Sequence, residues 1–264
     1  PIGVFDSGVG GLTVAREIMR QIPQERIVYF GDTARVPYGS KSTNTLIRYT
    51  RQIIRFLKTR GVKAIVVACN TASAVALEAV RDELDIPIIG VVRPGARVAV
   101  EATRNKKIGI IGTETTVNSG MYVKLIQEIE PEAQVIGKAC PLFVPLVEEG
   151  WTKDPVTEEV ARRYLADLQK SEIDTLILGC THYPLIRNTI QRVVGEKVTL
   201  VNPAYETARE LKLLLEEKGI LQDKKPDLGE NRYQFFVSDG AEKFKTFANS
   251  ILKYGILSAK TIHI

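Results

Sequence analysis

Two apolar segments of the sequence each end at a cysteine, and this repeated pattern constrains the fold more than any other feature. The run Ala64-Ile-Val-Val-Ala precedes Cys69, and the run Thr175-Leu-Ile-Leu-Gly precedes Cys180. Such β-branched runs are typical of strands buried on both faces of a parallel sheet. Small polar residues and then helical spacing follow each cysteine. Each thiol is therefore predicted at the carboxyl end of a strand, the edge where open α/β sheets bind ligands.

The cysteine strands belong to a longer internal repeat. The segment that begins at Ile2 has the same shape as the segment that begins at Ile108, an offset of 106 (108 minus 2), and the offset between the cysteines is 111 (180 minus 69). Two anchors that agree within five residues (111 minus 106) indicate one internal duplication. We therefore predict an α/β fold of two similar, doubly wound parallel-sheet domains related by pseudo-twofold symmetry.

The last part of the chain has no counterpart in the order of the first half. From about residue 206 it predicts a helix, a polar loop over 222–230, a strand over 233–237 and a final helix. We expect this tail to cross back and pack on the first unit. The predicted domains are therefore 1–96 with 207–264, and 97–206.

Charge and hydropathy disfavour several classes of function. The chain has 36 Lys and Arg against 31 Asp and Glu, but the basic residues are scattered, so we expect no nucleic-acid partner. No apolar run approaches the roughly 20 residues of a membrane span. The amino end predicts a strand rather than an export signal, and we expect a cytoplasmic protein.

The cysteine count favours free thiols over a disulfide framework. There are three cysteines and no Cys-x-x-Cys pair, which is typical of a reducing compartment. Cys140 is followed by Pro141 rather than by a hydroxyl residue and a helix, so we interpret it as structural.

The sequence lacks the signatures of the common cofactors. The glycines at 8, 10 and 11 follow a strand, but Thr13 stands where a dinucleotide fingerprint needs its third glycine. No phosphate loop of the Gly-x4-Gly-Lys type is present, and no lysine is recognisably placed for a Schiff base. With one candidate site histidine and no cysteine pair at metal spacing, we expect neither a metal nor a cofactor.

Five residues are candidates for acid/base chemistry. Cys69 and Cys180 each precede a predicted helix start, whose free N–H groups lower a thiol's pKa toward neutrality. His182 lies two residues after Cys180 and is a candidate to set its protonation. Asp6 ends the first strand and is expected at the same sheet edge as Cys69, and Glu148 precedes a glycine in the second half.

Short polar side chains are predicted at the same strand ends. Singly each is explained as a helix N-cap, but together they favour a small zwitterionic ligand. These residues are Ser7, Asn70, Thr71, Thr113, Thr116 and Thr181.

Four motifs in order resemble the bacterial glutamate racemases, of the aspartate/glutamate racemase family. They are Asp6-Ser-Gly-Val-Gly-Gly11, Pro37-Tyr-Gly39, Cys69-Asn-Thr-Ala72 and Gly179-Cys-Thr-His-Tyr-Pro184. The resemblance covers essentially the whole chain and implies that Cys69 and Cys180 are the catalytic acid and base, in a cleft between two α/β domains. It also implies an amino-acid site built from Asp6, Ser7, Pro37, Tyr38, Gly39, Asn70, Thr71, Thr181 and His182, with Glu148 nearby.

The resemblance further implies a biological role. A cofactor-independent glutamate racemase interconverts L-glutamate and D-glutamate and supplies D-glutamate for peptidoglycan, and so for cell wall biogenesis and cell shape; the resemblance also implies a homodimer. Two alternatives stay open: a racemase of aspartate or another amino acid, and a non-enzymatic two-lobed binding protein.

Overall fold

The computed structural model describes residues 1–223, 232–252, 256 and 258–264. Part of the polar stretch expected to form a loop, 224–230, lies outside them. The chain divides into two compact units. The first comprises Pro1–Val91 and Ala204–Ile264, and the second comprises Val92–Pro203.

The first unit is a six-stranded, all-parallel sheet with helices between its strands. Its strands are β1 (Ile2–Asp6), β2 (Ile27–Gly31), β3 (Ala64–Val67), β4 (Ile88–Gly90), β9 (Tyr233–Val237) and β10 (Lys260–Thr261). Its helices are α1 (Leu12–Gln21), α2 (Thr43–Thr59), α3 (Asn70–Val75), α4 (Leu77–Arg81), α11 (Pro203–Glu217, which starts at the unit boundary) and α12 (Ala241–Ile251).

The strand order of this sheet is β10-β9-β2-β1-β3-β4. Every residue of β1, β2 and β3 is buried, which is why these strands are continuous apolar runs in the sequence. The tail strand β9 pairs with β2 in parallel, with Ile27 opposite Tyr233 and Gly31 opposite Val237. The carboxyl ends of β1, β2, β3 and β9 therefore meet at one edge.

The second unit is a four-stranded parallel sheet of order β6-β5-β7-β8. Its strands are β5 (Lys107–Gly112), β6 (Gln134–Ala139), β7 (Thr175–Gly179) and β8 (Thr199–Val201). Its helices are α5 (Val92–Ala102), α6 (Glu114–Asn118), α7 (Met121–Ile129), α8 (Phe143–Glu148), α9 (Pro155–Lys170) and α10 (Arg187–Val194).

The two sheets share one topology. In chain order, the first four strands of each unit are arranged second, first, third, fourth, as β2-β1-β3-β4 and as β6-β5-β7-β8. The strands that lead to the cysteines, β3 and β7, occupy the same place in this order. The fold of two parallel-sheet α/β domains predicted from the repeat is thus confirmed.

Three local expectations from the sequence were wrong: a strand over 86–92, one helix carrying Val117, Met121, Leu125 and Ile129, and a helix start directly after Cys180. Helix α5 already begins at Val92, where the sequence predicted the end of a strand, because proline and glycine at 94 and 95 are tolerated in a helix's first turn. The single helix expected after β5 is two helices, since Gly120 adopts the left-handed conformation between them (φ 67°). Cys180 is followed by turns and a 3₁₀ segment, Tyr183–Ile186, before α10 begins. Pro184 lies in the first turn of this 3₁₀ segment, where its missing N–H costs no hydrogen bond.

Across the part of the chain that the structure describes, no helix is long and apolar enough to cross a membrane.

Candidate active site

In the first unit, Cys69 lies at the carboxyl edge of the sheet beside the end of β1. The register pairs Phe5 of β1 with Val67 of β3, and the N–H of Ala68 donates to the carbonyl of Phe5 (2.8 Å). Cys69 itself caps α3 with an extended backbone (φ −68°, ψ 120°) and is only 5% exposed. The sequence-predicted neighbours Asp6 and Cys69 therefore follow adjacent strands at one edge.

A glycine-rich loop closes tightly around the Asp6 carboxylate. Asp6 is fully buried, and its Oδ2 accepts the N–H of Gly8 (3.0 Å). The hydroxyl of Tyr29 donates to the carbonyl of Gly8 (2.9 Å). A Cβ on Gly11 would lie 2.3 Å from the Cβ of Asp6, so only glycine fits there. Gly11 is thus required by close approach, in a loop that fixes the carboxylate.

Tyr29 is a fully buried tyrosine near Asp6 and Cys69. Burial raises its pKa well above the ordinary value of 10.0, and the negative charges of Asp6 and Cys69 raise it further. Tyr29 therefore stays protonated and acts as a hydrogen-bond donor to the loop.

The loop that carries Tyr38 and Gly39 follows β2. Pro37, which follows a cis peptide bond, leads into a 3₁₀ turn, Tyr38–Ser40. The Tyr38 side chain is 2% exposed, and its hydroxyl donates to Oδ2 of Asp32. Burial, followed by the negative charge of Asp32, raises the pKa of Tyr38 well above its ordinary value. The phenol is thus a fixed donor inside the unit.

Other predicted polar residues of this unit lie at the start of α3. Asn70 and Thr71 are buried (5% and 2% exposed) directly after Cys69, whereas Ser7 is half-buried after Asp6. Their positions follow from chain adjacency to the two strand ends. The first unit therefore gathers the Cys69 thiol, the Asp6 carboxylate and several short polar groups at one sheet edge.

In the second unit, three side chains form a chain of contacts that begins at Cys180. The Sγ atom of Cys180 lies 3.8 Å from Nδ1 of His182, and Nε2 of His182 lies 3.1 Å from Oε1 of Glu148. His182 is 4% exposed, and the Glu148 side chain is 30% exposed. Because the histidine uses one nitrogen for each partner, it links the thiol to a partly solvated carboxylate.

An aromatic cluster holds the elements that carry the Cys180–His182–Glu148 contacts. The Tyr183 hydroxyl donates to the carbonyl of Cys140 (2.8 Å), and its ring packs edge-on against Phe143 of α8 (centroids 5.2 Å apart). Glu148 is the last residue of α8, and Tyr183 follows His182. This packing therefore fixes the carboxylate and the imidazole against each other.

Cys140 lies in the same unit but has a different environment. It is fully buried, and burial raises the pKa of its thiol from 9.0 to about 12. It is therefore a neutral thiol at ordinary pH, in keeping with the structural role expected from its sequence context.

Thr113 caps α6, the helix that follows β5, and Thr116 lies in the first turn of this helix. Thr113 accepts the N–H of Thr116 (3.2 Å), and the two hydroxyls lie 2.9 Å apart. The register pairs Gly112 with Gly179, so Thr113 and Cys180 follow adjacent strands at one edge. Thr181, 6% exposed, follows Cys180. The second unit thus gathers a thiol, an imidazole, a carboxylate and hydroxyls.

Among the described residues, no group of three His, Cys, Asp or Glu side chains is arranged to hold a metal ion.

Comparison with known proteins identifies the family. The sequence profile of the Asp/Glu/Hydantoin racemase family matches residues 2–211. The chain belongs to this racemase family. A glutamate racemase of Geobacter metallireducens is 51% identical to it over 251 residues, which are 95% of this chain and 92% of that protein. This racemase is therefore an enzyme of the isomerase class.

Solved structures of glutamate racemases resemble this racemase closely. One from Bacillus anthracis superposes with a TM-score of 0.95 at 43% identity, covering 100% of this chain and 97% of that one. One from Francisella tularensis, in complex with D-glutamate, has a TM-score of 0.90 at 37% identity, covering 99% and 97%.

Sequence reasoning missed two residues of the racemase's first unit. Asp32 follows β2 at the same edge as Asp6 and Cys69, and its position after a strand was a signal that was available. Ser238 follows β9, and its proximity to Asp32 (2.9 Å between the hydroxyl and Oδ1) depends on a strand pairing that the local sequence does not reveal.

Proposed function

We propose that this racemase interconverts L-glutamate and D-glutamate, with Cys69 and Cys180 as the two acid/base groups and without a cofactor. The observation that carries the proposal is that each unit presents one thiol after the equivalent strand, β3 or β7. Racemisation needs a base on one face of the α-carbon and an acid on the other. A duplicated fold with one thiol after this strand in each copy supplies the pair.

The proposed proton transfers balance within one turnover. The Cys180 thiolate takes the α-proton of L-glutamate and becomes a thiol, which leaves a carbanion at the α-carbon. The Cys69 thiol then donates its proton to the opposite face, giving D-glutamate and the Cys69 thiolate. The enzyme now holds the protonation state needed for the reverse reaction, and the pair carries one proton between the two sulfurs in each productive state.

The Cys180–His182–Glu148 contacts support the role of Cys180. An imidazole 3.8 Å from the sulfur can accept the thiol proton, and a carboxylate at 3.1 Å stabilises the imidazolium that results. The pair therefore generates a thiolate without a metal or a carbonyl cofactor.

Asp6 is the candidate to assist Cys69, as His182 is for Cys180, although the two residues have different surroundings. It is fully buried and bonded to the N–H of Gly8, so its position is fixed by the loop. We infer that Asp6 assists Cys69 and contacts the substrate amino group, because a buried carboxylate favours a nearby cation.

The remaining predicted residues supply the polar contacts of an amino-acid site. The relatives' names favour glutamate as the substrate, and one related structure contains D-glutamate. We propose that the hydroxyls, amides and backbone groups of these residues bind its charged groups. They are Ser7, Pro37, Tyr38, Gly39, Asn70, Thr71, Thr113, Thr116 and Thr181.

The proposed reaction also implies a biological role, the supply of D-glutamate for peptidoglycan. D-glutamate made in the cytoplasm would enter peptidoglycan, and the enzyme would act as a homodimer. Sedimentation of the purified chain tests the dimer directly.

Isotope exchange tests the reaction. The metal-free and pyridoxal-phosphate-free protein is incubated with either enantiomer in deuterated water, and we expect the opposite enantiomer, labelled at the α-carbon. Turnover of aspartate at a rate equal to that of glutamate would support a broader racemase instead. Tight glutamate binding with neither turnover nor α-proton exchange would support the binding protein and reject the proposal.

A further inference from the structure

A completely buried carboxylate outside the predicted site anchors one of the predicted binding loops. Asp32 is 0% exposed and directly follows β2. Its Oδ2 accepts the hydroxyl of Tyr38 and lies 2.7 Å from Nε of Arg35. Its Oδ1 accepts the hydroxyl of Ser238 (2.9 Å) and lies 2.8 Å from the same Nε. Both carboxylate oxygens are therefore occupied by groups of the protein.

Arg35 balances the buried charge and is itself held in place. Its Nη1 donates to the side-chain oxygen of Gln52 (2.6 Å), and its guanidinium lies 4.1 Å from the ring centroid of Tyr49. The Tyr49 ring also packs against that of Tyr38 (5.9 Å). A partly buried ion pair with these extra contacts is costly to rearrange, so it fixes the loop geometry.

The carboxyl-terminal part of the chain completes the arrangement. The Ser238 hydroxyl, which donates to Asp32, also accepts the backbone N–H of Ala34 (2.8 Å). Next to it, the N–H of Asp239 donates to the hydroxyl of Thr33 (3.0 Å), and that hydroxyl donates to the Asp239 carbonyl. The loop after β9 thus holds the segment that leads from β2 to Tyr38.

These contacts restrict what Tyr38 itself can do. The Tyr38 phenol is buried, and its hydroxyl donates a hydrogen bond to Asp32. A substrate can therefore contact Tyr38 and Gly39 only through the backbone of the 3₁₀ turn. Backbone groups cannot adapt by changing rotamer. The positions of these backbone groups are therefore set by the residues that hold the Tyr38 side chain.

We propose that Asp32 is a positioning residue for the racemisation reaction, and that Ser238 makes the carboxyl-terminal loop part of the substrate-binding machinery. Both act through Tyr38, by holding the backbone of Tyr38 and Gly39 in its binding position. This inference rests on the proposed function, in which that backbone contacts the amino acid.

Steady-state kinetics of Asp32→Asn and Ser238→Ala test the proposal. Loss of a binding contact used equally in the ground state and the transition state raises KM without changing kcat. We expect KM to rise about tenfold for Asp32→Asn and about threefold for Ser238→Ala, with kcat within about twofold of wild type. An unchanged KM in both variants would overturn the inference.

Glu25→Gln is a matched control for loss of stability. Glu25 is also a buried carboxylate (2% exposed) with a cationic partner, Lys63 at 2.8 Å, but it precedes β2 at the opposite edge of the sheet. Its variant should lower the Tm while keeping KM within about twofold of wild type. A KM rise equal to that of Asp32→Asn would show a merely structural effect and reject the positioning role.

A double-mutant cycle separates action through Tyr38 from direct action. In a Tyr38→Phe background, Asp32→Asn should raise KM by less than about twofold, because the contact it supports is already absent. A full tenfold rise in that background would contradict the proposal.

Hydrogen exchange gives a readout that does not need turnover. Ser238→Ala should speed amide exchange across 33–42, whereas Glu25→Gln should leave that segment unchanged. Unchanged exchange in Ser238→Ala would overturn the inference, even if glutamate is racemised. Absence of racemisation by the wild type would instead reject the proposed function, and the exchange experiment would then still decide whether Ser238 holds the loop that carries Tyr38.

Discussion

Nε2 of His182 lies 3.1 Å from Oε1 of Glu148, and the opposite nitrogen of the same ring faces the sulfur of Cys180 at 3.8 Å. The imidazole can therefore exchange a proton with the thiol on one side while a carboxylate compensates its charge on the other. Glu148 is the more exposed partner, which gives this chain of groups a route to solvent.

The first prediction concerns this chain of contacts. Glu148→Gln keeps the shape of the side chain but removes the charge that stabilises the imidazolium, so we expect kcat to fall about tenfold. His182→Asn removes the proton acceptor and should reduce kcat by roughly 100-fold. Because both act through one thiol, the double variant should be no worse than His182→Asn alone. Multiplicative losses in the double variant would show that the residues act separately.

The second prediction separates the two cysteines. The family resemblance implies that Cys69 would take the proton from D-glutamate and Cys180 from L-glutamate. Serine is a much weaker base, so Cys69→Ser should still eliminate a leaving group from an L-type β-substituted glutamate analogue but lose the D-type reaction. Cys180→Ser should do the reverse, and neither variant should racemise glutamate at the normal rate. Equal loss of both eliminations in both variants would contradict the two-sided assignment.

The third prediction uses the tight glycine beside Asp6. In Gly11→Ala, the new methyl would lie 2.3 Å from the Asp6 Cβ and 2.8 Å from the Tyr29 hydroxyl, so the carboxylate must move. A displacement of this size should lower kcat/KM by roughly 100-fold.

Gly109→Ala provides the control for this glycine. Its new methyl would meet Ile173 at 2.6 Å, among apolar side chains of the second unit. It should destabilise the fold but leave kcat/KM of the folded fraction within about twofold. Comparable activity losses in the two variants, measured on folded protein, would refute a specific role for the Gly11 contact.

The fourth prediction concerns stability at high pH. Burial raises the pKa of Cys140 from 9.0 to about 12, so the unfolded chain loses this proton at lower pH than the folded chain. The neutral thiol's contribution is fully present below pH 9 and is lost as pH rises toward 12. At pH 10.5 the wild type should have lost about 2 kcal/mol more stability than Cys140→Ala, relative to pH 8.

Denaturant unfolding of both proteins at the two pH values measures that difference. Iodoacetamide labelling at pH 8 adds a second check, since native Cys140 should stay unlabelled. A parallel pH dependence of the two proteins would show that the Cys140 environment is not as described.

The elements that the sequence predicted best are those with a local signature. The strands before Cys69 and Cys180 are buried on both faces and so are continuous apolar runs, which identifies them without any partner strand. The repeat of such runs indicated two parallel-sheet domains. The helix start expected directly after Cys180 was wrong, because turns and a 3₁₀ segment separate the thiol from α10. The helix itself begins at Arg187, close to residue 185, where the helical spacing predicts it.

The sequence by itself determined the two strand-end thiols, the polar residues beside them and the likeness to the racemase family, because each depends on residues close together in the chain. The tertiary structure alone decided which distant groups support them. Ser238 reaches Asp32 because β9 pairs with β2 in the register that places Val237 opposite Gly31. That pairing joins residues 206 positions apart, and its register is set by packing across the sheet rather than by any local pattern.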